Sequence, residues 1–579
     1  MNIRDGAWWS RPGVWACVLG LLVFAAWGGL HIVSPAKVGW LLTGLDTRAH
    51  YLGWESFRTT SWWQWPIGAN PGYGSDAPAT VVLADAIPAL AIAFKVFDRV
   101  LPAGFQYFGL WLACCFVLQA WYGSKLVGCF TNDAWLRLLG AGFFAIATIF
   151  LIRPYLHPAL AGQWILLAAL YFCFDDRKRH GAWIALLVFA SLVHAYLLTM
   201  AGAIWAADVA ARLIRREERP LLIVRHVLLV LISVVLTMWA AGYFVPVAVV
   251  PQPFRSYTNL LTPIWTGVCR SDKFYWMTKG DWSWFVPCMG LDFDVMAKAS
   301  DGFGYFGIGF ILLLPVALAC AVLRRARPFL RLEWLTLSLA AVVMLVYAVG
   351  NLVYAGNRLL FSYRQPALVG HLADVFHGAA RMEWPAWYLV LTATLAAVVG
   401  GMRVPAARWV LGVALLVQCI DLSRGAVINH AEMVKGAHYS NQLLDPAWSQ
   451  LASHYQHVVF MADAHVPAKV IAWIPGYVQV ARYAVLHRMT INQAYLARLD
   501  EAALARAREA RVTELLDGKS EPSTIYVIGD VPLWSRVLCA PEHGQWRGSI
   551  DGFQLVIPDP RWTRGLPPAE SCHAATAKT

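Results

Sequence analysis

Between residues 13 and 420 the chain runs through ten apolar blocks, near 13–33, 106–128, 136–152, 159–174, 181–210, 222–244, 304–322, 333–349, 386–401 and 406–420. A helix needs about 20 residues to cross the ~30 Å hydrocarbon core of a bilayer. Apolar residues arranged in long blocks, not at amphipathic spacing, therefore predict membrane helices. Composition agrees, with 59% of residues hydrophobic and 14% charged. Soluble domains carry about 45–50% apolar and about 25% charged residues. A string of soluble domains, a disordered chain, a collagen and a disulfide-stapled miniprotein are all excluded.

Lys and Arg total 47 and Asp and Glu 35, a net charge of +12. From residue 430 onward basic and acidic side chains number 14 each, so the whole excess, 33 against 21, lies in the first 429 residues. The basic residues there fill short connections between apolar blocks. That is the positive-inside pattern of a multi-pass membrane protein, not a nucleic-acid-binding face. No nucleic-acid partner is expected.

Orientation follows from the same residues. Arg177, Lys178 and Arg179 beside Asp175 and Asp176, then Arg212 with Arg215 and Arg216, mark cytoplasmic loops, as do Arg324, Arg325 and Arg327, and Arg403 with Arg408. The first two clusters flank 181–210. That block must cross twice, as two short helices meeting near His194 and Tyr196. The first block follows Arg4 and Arg11 with no small-residue cleavage site after it, so it reads as an anchor. The loop 34–80 then lies outside and Asp175 inside, which requires an odd number of crossings from four apolar segments. The odd one is 81–97, short and carrying Asp85, Pro88 and Lys95. It is expected as a re-entrant or surface-lying helix on the outer face. Eleven crossings result, with the N-terminus cytoplasmic and everything after about 425 outside.

The fold class is thus an all-α polytopic membrane protein of about 11 transmembrane helices over 1–429, with outer loops 34–80 and 245–303. A small α/β extracytoplasmic domain follows at 430–579. Within it HVVFM (457–461), VIAWI (470–474), YAVLH (483–487) and TIYVIGD (524–530) read as strands, and Glu501 to Leu516 as a helix. Seven of the 11 cysteines lie in apolar blocks. The other four fall two by two in outer segments, where an oxidising compartment permits the disulfides Cys269–Cys288 and Cys539–Cys572.

Ionisable residues not explained by cytoplasmic anchoring gather at the outer ends of the blocks. Asp46 and His50 lie four apart, one face of a helix. Asp85 sits in VVLADAIPAL, Arg153 and His157 in FLIRPYLHPAL, and His194 at the break in SLVHAYLL. Arg255 follows the block ending near Phe244, and Arg381 precedes the block at 386. Ionisable groups at membrane depth are costly and default to functional candidates. A carboxylate beside several cations suits transfer from an anionic lipid-linked donor. The carboxylate orients or deprotonates an acceptor hydroxyl, and the arginines, with His157, His194 and Arg255 nearby, neutralise a departing phosphate. His50, Trp54 and Arg58 are the loop residues expected near an acceptor. Each has a plainer reading: an Asp46–Arg48 ion pair in solvent, structural histidines, arginines reaching to headgroups and an interfacial tryptophan belt at 54–65. Asp292 and Asp294 in DFD have the form of a metal-binding DxD, a weak signal from one tripeptide.

At these stretches the sequence resembles an uncharacterised family of bacterial polytopic membrane proteins, a domain-of-unknown-function group similar to the C-type (GT-C) glycosyltransferases. The matching stretches are Asp46-x-x-x-His50-Tyr51-Leu52-Gly53-Trp54-x-x-Phe57-Arg58, Trp65-Pro66-x-Gly68, Asp85-Ala86-Ile87-Pro88, Phe105-Gln106-Tyr107-Phe108-Gly109-x-Trp111 and Arg153-x-x-x-His157-Pro158. Tyr257-x-Asn259-Leu260, Phe303-Gly304-Tyr305-x-Gly307-x-Gly309 and Arg381-x-x-Trp384-Pro385 continue them. They cover most of 40–400. The resemblance implies a catalytic aspartate in the first outer loop, the place of Asp46, with Asp85 as a second carboxylate. It further implies a membrane lipid partner, a polyprenyl-phosphate-linked sugar as donor, and an envelope glycan, lipid or protein as acceptor on the outer face of the inner membrane. The family pattern has Ser after the second aspartate where this chain has Ala86, so no hydroxyl role is carried over there. A Trp-Trp-Asp motif of the oligosaccharyltransferase kind is absent. No cofactor is expected beyond an optional divalent cation. The competing readings are a transporter or flippase for envelope lipids and a degenerate GT-C scaffold. A transporter would set its polar site at the bilayer midplane and show internal repeats, whereas here the polar residues gather at one face and no self-similar halves occur.

Overall fold

The computed structural model describes residues 12–572 apart from 45, 176, 178, 248–255, 266–281, 289, 293–294, 296–300, 324–330, 436–438, 464–465, 467 and 542–543. The chain forms two compact units. One takes residues 1–34, 107–235 and 251–435; the other takes 35–106, 236–250 and 436–579.

The first unit is helical. Among the described residues six helices are long and apolar enough to cross a membrane: Phe108–Val127, Ala195–Arg215, Pro220–Ala241, Leu332–Val349, Ala379–Gly401 and Val404–Ala431. A seventh candidate is the pair Ala134–Ala145 and Thr148–Leu156, bent by 46°. Four shorter apolar helices, Pro12–Trp27, Pro158–Phe174, His180–Ser191 and Ile308–Leu323, complete the set. This is a multi-pass membrane protein. The block 181–210 does divide beside His194, whose Nδ1 accepts the Tyr196 N–H at 3.1 Å and so caps the second helix. That second helix has 21 residues, however, and is not the short one expected. Its polar last turn, with Arg212 and Arg215, extends past the apolar block.

In lipid, helices associate through close backbone approach and not through expulsion of water. Gly20 on Pro12–Trp27 meets Phe116 on Phe108–Val127 so closely that a Cβ would stand 2.5 Å from the Phe116 carbonyl oxygen. Buried Asp421 accepts hydrogen bonds from the Tyr305 hydroxyl (2.8 Å), the Ile308 N–H (2.9 Å) and the Ser283 hydroxyl. It thereby fixes the start of Ile308–Leu323 against the long final helix. We expect Gly20→Ala to cost about 1–3 kcal/mol by overpacking, seen as a lower melting temperature in detergent. Gly202→Ala, where nothing lies within 4 Å, should be neutral or stabilising by up to about 1 kcal/mol.

The second unit is built on a five-stranded sheet. Its strands are β3 (His457–Met461), β4 (Thr490–Ile491), β5 (Thr524–Ile528), β6 (Trp546–Ile550) and β7 (Phe553–Ile557); β1 (Leu352–Ala355) and β2 (Arg358–Ser362) form a separate hairpin in the first unit. The sheet order is β4-β3-β5-β7-β6, with β3 parallel to both neighbours and β7 antiparallel to both of its own. Val459, Met461, Tyr526 and Ile528 pack with Leu515, Leu533 and Trp534 from the helices Glu501–Leu516 and Val531–Leu538. Two of the strands expected from the sequence are corrected. Residues 470–474 lie mostly in a 3-10 turn, Ala468–Trp473, and 483–487 end the helix Pro475–Leu486. A short apolar run does not distinguish strand from helix; Pro475 at the first helical position decides it here.

Residues 35–106 belong to this unit because they cover its sheet edge. β4 is two residues long, and Tyr73 bridges in parallel to Ile491. The Gly74 and Ser75 N–H groups donate to the Ile491 carbonyl, and Ile491 N–H donates to Gly72. Asp76 pairs with Arg511 at 2.5 Å, and the Asn492 side chain donates to it at 3.1 Å. An edge strand left open is a template for further pairing; here the first long loop closes it. Within that loop only Pro88–Lys95 of the segment 81–97 is helical, about 12 Å long and too short to cross a bilayer.

Candidate functional site

Each unit holds a cluster of buried ionisable groups. In the second unit the helix Asp46–Phe57 begins with Asp46 in its first turn, where the helix dipole favours a carboxylate. His50 follows on the same face and is 1% exposed. Asp85 comes from a turn that Gly53 allows to approach: a Cβ on Gly53 would stand 2.5 Å from the Ala84 side chain. A ring nitrogen of His50 and a carboxylate oxygen of Asp85 lie within 4.8 Å of each other. Asp85 (φ 50°) and Ile87 (φ 54°) both occupy the left-handed region, at a cost of about 1–3 kcal/mol each. For a β-branched isoleucine this is a genuine outlier. The turn thus holds Asp85 beside His50 in a conformation its own residues disfavour, and such strain concentrates at functional positions.

The remaining residues of that helix support the loop. Trp54 is fully buried, with its indole N–H on the Phe105 carbonyl at 2.8 Å. Arg58 is buried too. It donates to the Asp98 carboxylate at 2.7 Å and to the Pro102 and Leu101 carbonyls at 2.8 and 3.0 Å. Both are committed to the chain around 98–105. Arg48 donates to the carbonyls of Gly44, Thr43 and Ala472.

In the first unit Arg153 and Arg381, far apart in sequence, share one carboxylate. Arg153 Nη1 lies 3.3 Å from Asp301 Oδ1 and its Nη2 donates to the Asp301 carbonyl at 2.8 Å; Arg381 Nη2 donates to Asp301 Oδ2 at 2.9 Å. Arg153 is 2% exposed and its guanidinium lies 5.1 Å from the Trp384 ring centre. Arg381 stands 5.0 Å over the ring of Tyr196, whose hydroxyl accepts the Gly378 N–H. Cation–π contact of this kind is strongest where water is excluded. Burial works against ionisation of Asp301, but the two guanidiniums outweigh it and hold its carboxyl well below the usual carboxylate range. His157 and His194 meet edge to face at 5.1 Å, and His194 packs on Tyr196. Glu383, also buried, accepts from the Thr258 hydroxyl at 2.8 Å.

The structure therefore joins Arg153, Arg381, His157 and His194 within the first unit, and His50 with Asp85 within the second. Arg255, Asp294 and Cys269 lie outside the described residues; Asp292 is described and exposed. Cys539 and Cys572 are bonded, with 4.7 Å between their Cα atoms. Asp301 and Glu383 are the residues that sequence reasoning missed. The one signal for Asp301 was its place at the end of the loop 245–303, just before Phe303-Gly304-Tyr305.

These features define a helical multi-pass membrane protein with an α/β unit and buried charged clusters in both parts. The chain belongs to the family described as a domain of unknown function, DUF6311, which matches residues 17–423; the DUF6311 C-terminal domain matches 447–558. Among solved structures it is similar to ArnT from Cupriavidus metallidurans in the apo state, at 11% identity over 95% of this chain and 98% of that chain, with a TM-score of 0.47. The same protein bound to undecaprenyl phosphate is similar at the same identity and coverage, with a TM-score of 0.46. No curated protein matches.

Asp301→Asn should lower the melting temperature at neutral pH, because it leaves buried Arg153 and half-buried Arg381 without their shared counter-charge. The sign of the pH dependence follows from the depressed carboxyl. Its stabilisation is complete above the ordinary carboxylate value of about 3.9 and is lost as pH falls toward its folded value. The gap between wild type and variant should be constant from neutral pH down to about pH 4 and narrow only below it, as thermal unfolding in detergent would report.

Proposed function

We propose that this protein is a membrane glycosyltransferase that moves a sugar from a polyprenyl-phosphate carrier to a cell-envelope acceptor on the outer face of the bacterial inner membrane. In this reading the N-terminus is cytoplasmic and the C-terminal unit periplasmic. The observation that carries it is the pair of arginines, Arg153 buried and Arg381 half-buried, converging on one carboxylate beside aromatic faces. Arg153 Nε is buried and makes no hydrogen bond among the described residues. It is a donor available to a phosphate oxygen. Asp301 pre-orients the two guanidiniums, and their planar donor geometry suits phosphate.

The chemistry is a single inverting displacement. Asp46 takes the proton of an acceptor hydroxyl, the hydroxyl oxygen bonds to the anomeric carbon, and the bond from that carbon to the phosphate oxygen breaks. The phosphate leaves with its electron pair and is neutralised by Arg153 and Arg381, with His157 and His194 lining their side. Asp85, beside His50, orients the acceptor or an optional cation. Charge develops on the leaving oxygen in the transition state, so fixed cations there stabilise it more than the ground state.

The test is transfer of radiolabelled sugar from polyprenyl-phosphate donors in membranes containing the full-length protein. Asp46→Asn should reduce turnover by about 10²–10⁴-fold, the usual worth of a positioned base. Arg153→Lys should lower it as well, since a point charge does not reproduce the guanidinium fork. Full activity of Asp46→Asn at normal expression removes Asp46 as the base. A wild type inactive with every donor favours a lipid transporter or a non-catalytic scaffold.

A further inference from the structure

Of the four tryptophans between residues 54 and 65, only Trp54 is buried. Trp62, Trp63 and Trp65 are exposed, Trp63 to 98%. All three lie in the second unit, on the loop that follows the helix Asp46–Phe57. Contiguous exposed apolar surface marks an interaction site, where single scattered residues do not. The question is what covers this one.

The helix Pro220–Ala241 fixes the depth of the loop. Its 22 residues rise ~33 Å, about the ~30 Å of a hydrocarbon core, so its two ends stand at the two boundaries. Only 22% of its apolar stretch is buried, the least of the six candidate spans. Ile232, Leu236 and Trp239 are exposed at i, i+4 and i+7, one stripe along the helix. Trp239 is two residues from the end, and the Trp65 ring meets it edge to face at 4.8 Å. The Gly68 N–H donates to the Ala240 carbonyl at 3.2 Å, and a Cβ on Gly68 would collide with the Ala241 carbonyl oxygen. The tryptophan loop is thus clamped to the last turn of a spanning helix, and Trp65 continues that helix's exposed stripe.

A second apolar ridge is tied to the first. Lys95, buried at the end of Pro88–Lys95, donates to the Thr60 hydroxyl at 2.6 Å and the Ser61 carbonyl at 3.2 Å, and its ammonium lies 4.9 Å from the Trp62 ring centre. The residues that follow it, Val96, Phe97 and Val100, are exposed, with exposed Arg99 among them. Tryptophans beside a cation suit the boundary between acyl chains and headgroups, where an indole buries its body and keeps its N–H in the polar layer. We propose that Trp62, Trp63 and Trp65, with Val96, Phe97 and Val100, insert into one leaflet of the bilayer at the end of Pro220–Ala241, with Arg99 facing lipid phosphates. The partner is phospholipid and not another protein, because the patch starts on a ring that a lipid-facing span already sets at the hydrocarbon edge. The same Lys95 ammonium lies 4.4 Å from the Phe57 ring centre, so the insertion holds the last turn of the helix Asp46–Phe57 at the bilayer surface. The proposal is independent of the glycosyltransferase reading.

Photo-crosslinking of the full-length protein in nanodiscs of phosphatidylethanolamine and phosphatidylglycerol tests it. The photoreactive residue p-benzoylphenylalanine replaces Trp63, Phe97 or, as a lipid-facing reference on the span, Ile232. All three positions are exposed, so the fold should tolerate the change, and an unaltered melting temperature checks this. After irradiation, intact-mass spectrometry should show the mass of a phospholipid added at positions 63 and 97 as at 232. Lipid adducts at 232 without adducts at both 63 and 97 overturn the proposal. Cross-links from position 63 to a second copy of the chain in place of lipid overturn it too, and make the patch a contact between copies.

Discussion

Hydrocarbon offers the backbone no hydrogen-bonding partner, and most of this protein is arranged around that constraint. It makes the first unit helical, and it drives ionisable side chains to the ends of the helices, where they meet water or one another. Arg153 comes at the end of a bent helix, His194 caps the next long one, and Arg381 sits in the 3-10 turn that opens the helix at Trp384. Three segments distant in the chain present their termini at one level. The cluster around Asp301 is therefore a consequence of where helices must stop, and its chemistry is set by which residues stand at those stops.

The same constraint explains what could be read in advance. Apolar blocks are a long, strong signal, and their basic flanks are a second one; the helices and the division at His194 follow from these. Arg153 and Arg381 were visible because a charged residue at the end of an apolar block is conspicuous. Asp301 was not. It lies in a polar loop, where a carboxylate is unremarkable until the fold brings two guanidiniums to it. The left-handed conformations of Asp85 and Ile87 were equally hidden, since an aspartate tolerates positive φ without requiring it and a β-branched isoleucine disfavours it. In the α/β unit the run 483–487 has the composition of a strand, and only Pro475 upstream tips it to helix.

The pairing of residues 72–76 with β4 alters what the C-terminal residues are for. A sheet that ends in a two-residue strand needs a cover, and the cover is the loop that also carries Asp46, His50 and Asp85. Asp76 is held by Arg511 and Asn492, and Arg48, two residues after Asp46, donates to the Ala472 carbonyl. The α/β unit is thus a structural partner of the helix Asp46–Phe57 and not an appendage. Its sheet edge sets where that helix lies, and so where its first-turn carboxylate stands.

A shared carboxylate between two arginines is a compromise with definite consequences. With no counter-charge the two guanidiniums would repel each other, and buried Arg153 would bear its desolvation cost uncompensated. With one carboxylate apiece they would be neutral and indifferent to an anion. A single Asp301 takes one oxygen to each arginine, and its side chain stays 27% exposed. The arginines are held in place before any ligand arrives, and Arg153 Nε makes no hydrogen bond among the described residues. An anion that reached this cluster would meet donors already oriented, and binding would cost little reorganisation, which is the condition under which electrostatic stabilisation is most effective.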